Sequence, residues 1–233
     1  MKRILPLLVL ISFGVMCRAD QSKGDVTSRL QQAGNVLRQV MDTPDKGIPE
    51  EVMDHAKCVA VVPHLVKGGF IFGAEGGRGV ATCRTAHGWS APAFFDVEGG
   101  SWGLQIGVEG IDLVMIIQND HGMQQLLGSK FQIGADASAA AGPVGRHASA
   151  DTDWKMDAEI LTYSRSKGIF AGLTLNGAAV HQDIDAMRAF YGSDVTVRHA
   201  LTGQVPPPPG SMAFLSAVRS AREQAKTAEA NEK

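Results

Sequence analysis

Metal-binding spacing is the first thing this sequence lacks. None of its three cysteines lies in a C-x-x-C pair, and none of its seven histidines forms an H-x-x-x-H pair. A zinc site of familiar spacing is not expected, and nothing calls for a cofactor. Strong charge of either sign is also missing, with 22 basic against 24 acidic residues. A chain of net charge −2 has no bulk attraction for nucleic acid, so nucleic acid is not an expected partner. An anionic partner would have to be held by a local basic cluster. No tandem repeat of 20–50 residues is visible, which argues against a solenoid. Beyond the first twenty residues no apolar run is long enough to cross a bilayer as a helix.

What is present begins with the N-terminus. Lys2 and Arg3 precede an apolar stretch over residues 4–16, and Cys17-Arg18-Ala19 supplies small residues at the −3 and −1 positions of a cut before Asp20. This is the pattern of a secretory signal peptide over residues 1–19, and it predicts an exported protein, periplasmic or secreted. Lipidation at Cys17 is the alternative, although Met16 is a poor match for the residue before a lipobox cysteine. The cleaved chain would carry 19 basic and 24 acidic residues, a net charge of −5. Cys58 and Cys83 would remain, read either as a disulfide or as two buried thiols.

Residues 25–41 read as a helix with Val26, Leu30, Ala33, Leu37, Val40 and Met41 on one face. Only Arg29 and Arg38 flank that stripe, so the helix reads as a cover for the core; a membrane-surface helix would carry a basic face. A short helix follows Pro49. From residue 57 the texture becomes β-branched and punctuated by glycine. Short strands are expected at 57–62 (ending at Pro63), 70–72, 80–83, 93–97, 102–108, 111–117 and 131–139, and a hairpin over 160–180. A helix is expected at 123–127, another behind Asp183, and a charged one over about 211–230 after the prolines at 206–209. Strands adjoin strands without helical crossovers, which excludes a doubly wound sheet. The predicted fold class is α+β, with N-terminal helices on a curved, Gly-rich antiparallel sheet or barrel.

Gly99-Gly100-Ser101-Trp102-Gly103 matches the G-x-S-x-G elbow of serine hydrolases, which needs a strand before the serine and a helix after it. Strand-like alternation follows Ser101, so the motif reads as a turn and no catalytic residue is assigned. The glycines of 68–79 lack G-x-G-x-x-G spacing. Basic residues beside expected turns are Lys67, Arg78, Lys130, Arg146, Arg165 and Lys167. Gathered at one end of a barrel they would bind a phosphate headgroup; as ordinary loop charges they would bind nothing.

Taken in order, nine strings resemble the SYLF domain family: 56–63 (AKCVAVVP), 69–73 (GFIFG), 77–80 (GRGV), 88–92 (GWSAP), 99–107 (GGSWGLQIG), 130–131 (KF), 134–138 (GADAS), 141–146 (AGPVGR) and 163–172 (YSRSKGIFAG). The resemblance implies a non-catalytic domain that binds phospholipid, with phosphoinositides as ligands and actin as a partner in some eukaryotic members. With the signal peptide, it predicts a bacterial envelope protein that binds a phospholipid or membrane surface through those six basic residues, with actin not expected as a partner. A structural or protein-interaction module using its sheet surface is the alternative. The expected layout is a signal peptide at 1–19, a SYLF-like domain at 20–192 and an extension at 193–233.

Overall fold

The computed structural model describes residues 21–43, 47–69, 72–102, 107–144, 158–166, 169–172 and 177–230. The expected signal peptide, with Cys17, lies outside the described residues, as do Arg146 and Lys167. Helix α1 (Lys23–Met41) begins at a capping box in which Ser22 and Asp25 exchange hydrogen bonds. Its apolar stripe is buried as expected, and Arg29 is buried with it. Helix α2 (Glu50–His55) follows Pro49, which needs no N–H at a helix start.

The sheet is built on β1 (Cys58–Gly69), flanked by β2 (Phe72–Thr85) and β5 (Gly107–Ile117). Outward from β2 come β4 (Ala93–Trp102), β10 (Ala179–Gln182) and β6 (Lys130–Gln132), while β3 (Gly88–Trp89) pairs with the end of β2. Outward from β5 come β8 (Ile160–Ser166) and β7 (Ala139–Ala141), and β9 (Ile169–Gly172) also pairs with β8. Only the β7–β8 pairing is parallel among the described ladders. The protein is therefore an α+β domain with N-terminal helices on a curved sheet that forms a half-barrel.

Several strands run further than the sequence pattern suggests. β1 continues through Pro63, where the register shifts against both neighbours. A bulge removes the ladder bond that proline cannot donate to, so the strand survives it. His64 beside it has φ 58°, its N–H donates to Asp112 Oδ1 at 3.1 Å, and Gly110 leaves the space that the His64 ring occupies. The glycine-rich runs from 72 to 83 form one strand, whose bare positions admit neighbouring side chains: a Cβ on Gly79 would lie 2.2 Å from the Phe95 ring. Ser101 lies inside β4, opposite Gly73, so the expected turn there is strand. The stretch 131–139 is broken where Asp136 Oδ2 accepts from the Gln132 N–H at 2.7 Å and Gly134 takes φ 87°. The expected 160–180 hairpin is realised as β8–β9, while β10 leaves it to pair with β4 and β6.

Helix α3 (Asp120–Leu127) is capped by Asn119 and α4 (Ile184–Tyr191) by Asp183. After α5 (Val197–Leu201) and a 3₁₀ turn at Pro209–Ser211, α6 (Met212–Ala230) lies against α1. Phe214, Leu215, Val218 and Ala221 of α6 share one core with α1 and the sheet. The two helices touch at Gly34, where a Cβ would stand 2.6 Å from the Ala213 carbonyl oxygen. That obstacle is backbone and cannot rotate away. At an open helical site, Gly→Ala gains up to about 1 kcal/mol. Gly34→Ala is expected instead to lose about 2–3 kcal/mol, read as a lower urea midpoint at unchanged slope.

Candidate functional site

Two polar recesses flank the helical layer. The first is organised by Arg29. Its guanidinium donates to Asp183 Oδ2 at 3.0 Å, bonds the Gln21 side-chain oxygen, and lies 5.6 Å from the centre of the Phe94 ring. Asp183 also accepts from the Ala186 N–H at 2.9 Å, as the α4 cap, and from Gln21 Nε2. Burial alone would raise its pKa, but the bonds from Ala186, Gln21 and Arg29 together hold it below the usual range. Asp96, Glu98, Asp185 and Arg78 line the same recess, of about 390 Å³. Asp96 is pushed up to about 6, by burial first and then by the charge on Asp183. Its Oδ1 is buried without a hydrogen-bond partner among the described residues. This assembly joins α1, α4 and the sheet, a structural role.

The second recess, about 370 Å³, opens between the β2–β3 hairpin and α6 and is lined by Arg84, His87, Trp89, Arg219, Arg222 and Glu223. Arg84 is fixed from behind: Nε donates to the Ala56 carbonyl and an Nη to the Met53 carbonyl, both at 3.1 Å. Those carbonyls belong to the C-terminal end of α2, which a cation satisfies. The guanidinium stacks on Trp89, its cross-strand partner, at 4.9 Å from the ring centre. Arg222 bonds Asp54 Oδ1 at 2.8 Å, tying α6 to α2. Burial first, and the nearby Arg222 second, lower the pKa of Arg84. Arg219 is exposed.

The sequence-derived cations are arranged differently. Lys67, Arg78, Lys130 and Arg165 all sit within strands, not on turns, and β6 and β8 stand near opposite ends of the strand order. Lys67 is ion-paired with Glu75 at 2.9 Å and Arg165 with Asp112 at 2.7 Å, while Arg78 faces the acidic recess and Lys130 is exposed. The cations that do converge, Arg84, Arg219 and Arg222, were missed. A signal existed: Arg219 and Arg222 stand three apart on one helical face.

The model of the family described as "Ysc84: Las17-binding protein actin regulator" matches residues 98–221, just over half the chain. The chain belongs to the Ysc84 family. It is 33% identical over 191 residues to the rat "SH3 domain-containing YSC84-like protein 1", covering 79% of this chain and 56% of that protein. The human protein of the same name is 32% identical over the same length, with the same coverage. "LAS seventeen-binding protein 3" of Saccharomyces cerevisiae is 35% identical over 171 residues, covering 71% of this chain and 37% of the relative. The chain thus spans about half the length of its animal relatives and less of the yeast one.

These matches correct the bacterial part of the sequence reading. The Ysc84 relatives are animal and yeast proteins named for an SH3 domain or for Las17 binding, and the family is described as an actin regulator. That overturns the bacterial envelope phospholipid-binding assignment, the secreted or periplasmic setting, and the expectation that actin is no partner. Most of the nine strings fall in strands of the sheet, so they bear on the fold and say nothing of the compartment.

The raised pKa of Asp96 fixes a sign for stability against pH. The folded state holds this proton more tightly than the unfolded chain does. The stabilisation is therefore full below about pH 4 and lost as pH rises through about 6. Asp96→Asn is expected to stabilise the protein by about 1 kcal/mol at pH 8 and to change little at pH 4, read from urea unfolding at both.

Proposed function

We propose that this chain is a non-enzymatic protein-interaction module of an actin-regulating assembly. The family match carries the reading: a model described as an actin regulator aligns over residues 98–221, which include the sheet edge at β6 and the first half of α6. The non-enzymatic part is supported by the character of that family and by Ser101, whose backbone is engaged in the β4 ladder. The test is co-sedimentation of the full chain with filamentous actin. Enrichment in the pellet with an affinity on the order of 1–10 μM is expected for a working partner. A chain that stays in the supernatant at tens of micromolar actin overturns the reading.

We also propose that Cys58 and Cys83 form a structural bridge in the isolated protein. Its support is their direct pairing across β1 and β2, fully buried, with Cα atoms 3.9 Å apart. That Cα separation falls just below the roughly 4.4–6.8 Å usual for disulfides, as two residues directly opposite on adjacent strands lie unusually close. Closing a loop of 25 residues is worth on the order of 3 kcal/mol in the chain-entropy model. Reduction is expected to lower the melting temperature by several degrees and to raise the intact mass by two hydrogens. Alkylation of Cys58 and Cys83 in the unreduced, denatured protein, located by peptide mass so that Cys17 is counted apart, would rule the bridge out.

A further inference from the structure

We propose that the recess between the β2–β3 hairpin and α6 binds an acidic peptide segment of a protein partner, with one carboxylate among Arg84, Arg219 and Arg222 and a neighbouring apolar side chain against Trp89. This rests on the protein-interaction reading and names the chemistry of its partner.

Three guanidinium groups reach this recess from two elements far apart in sequence, β2 and α6. Each is in a different state of commitment. Arg84 uses Nε and one Nη on α2 carbonyls, and its stacking on Trp89 leaves the other Nη free to donate. Arg222 uses Nε on Asp54, and its two Nη groups make no hydrogen bond among the described residues. Arg219 is exposed and makes no ion pair or side-chain hydrogen bond among the described residues. The charge on Arg222 lies close enough to Arg84 to disfavour its cation, and an anion between them would relieve that repulsion. Planar donors held in this way match a carboxylate bidentately.

Charge balance favours a peptide over a polyphosphate or an anionic membrane. Glu223 lines the recess and Asp54 already neutralises Arg222, so the three cations carry little net charge to spare. One or two carboxylates suit that balance, whereas an inositol polyphosphate would bring several uncompensated charges against Glu223. A recess of about 370 Å³ also holds one or two side chains, and does not lie flat on a bilayer. Gly88, at φ 108°, has nothing within 4 Å of where a Cβ would be, so the hairpin tip leaves the approach to Trp89 open.

The experiment titrates the full chain with a labelled ten-residue peptide of alternating Glu and Leu, its Gln-for-Glu counterpart, inositol hexakisphosphate, and vesicles containing one-third phosphatidylserine. Binding is read by fluorescence anisotropy and by the indole N–H shift of Trp89, assigned with Trp89→Phe. The expected result is saturable binding of the Glu peptide with the Trp89 signal moving. The Gln peptide should bind at least tenfold more weakly. Arg219→Glu should lower affinity for the Glu peptide at least tenfold at unchanged melting temperature, while Arg188→Glu, at an exposed position of α4, should leave it as it is. Equal binding of both peptides, a Trp89 signal that never moves, or binding of only inositol phosphate or vesicles each overturns the proposal. If the peptide fails while actin still sediments the chain, the recess assignment falls alone; if actin sedimentation also fails, the interaction reading falls with it.

Discussion

The contact between Gly34 and the Ala213 carbonyl is the constraint on which the rest of the helical layer depends. A side chain on α1 at that point would hold α6 away by its own radius. Without one, α6 settles deeply enough for Phe214, Leu215 and Val218 to enter the core shared by α1 and the sheet. The same settling brings Arg222 to Asp54 and places Arg219 across from Trp89. A packing requirement at the start of α6 therefore sets the position of charged groups two turns later. The geometry of the candidate site follows from the missing Cβ, with no special feature of the site itself.

The two recesses show opposite uses of charge. Around Arg29, each buried ion is paired or bonded several times over, which is the condition for a buried charge to persist. Because removing one partner would leave the other exposed to a low dielectric, the network fixes α1 against α4. Around Arg84 the anchoring is partial: Arg84 spends two nitrogens on α2 carbonyls, Arg222 one on Asp54, and Arg219 none among the described residues. Anchored on one side and unsatisfied on the other, they are suited to receive a group from outside. The Lys67–Glu75 and Arg165–Asp112 pairs belong with the first kind, since their charges are spent on cross-strand neighbours.

Much of the fold was legible because its signals are local. The stripe of Val26, Leu30, Ala33 and Leu37 is set by helical period, and Asn119 and Asp183 cap helices through their own side chains. The lengths of β1 and β2 were not legible, because proline and glycine normally end strands; here a bulge absorbs Pro63 and the glycines make room for Phe95 and Leu65. The site was less legible than the fold. Ranking cations by their nearness to glycine turns selected residues whose acids, Glu75 and Asp112, come from other strands and were invisible in the local sequence. Arg84 carries no local signal, because the α2 carbonyls that hold it meet it only after β2 pairs with β1.

On the reading proposed above, the arginine-rich recess is the face through which this Ysc84-family domain would meet an actin-regulating partner. A photo-activated cross-linking residue placed at position 219 of the full chain, irradiated with filamentous actin and resolved by mass, tests that claim most directly. The account predicts a covalent adduct from position 219 and none from the same residue placed at 188, on α4. An adduct from 188 with none from 219 would show that actin meets a different face, and the account would be wrong.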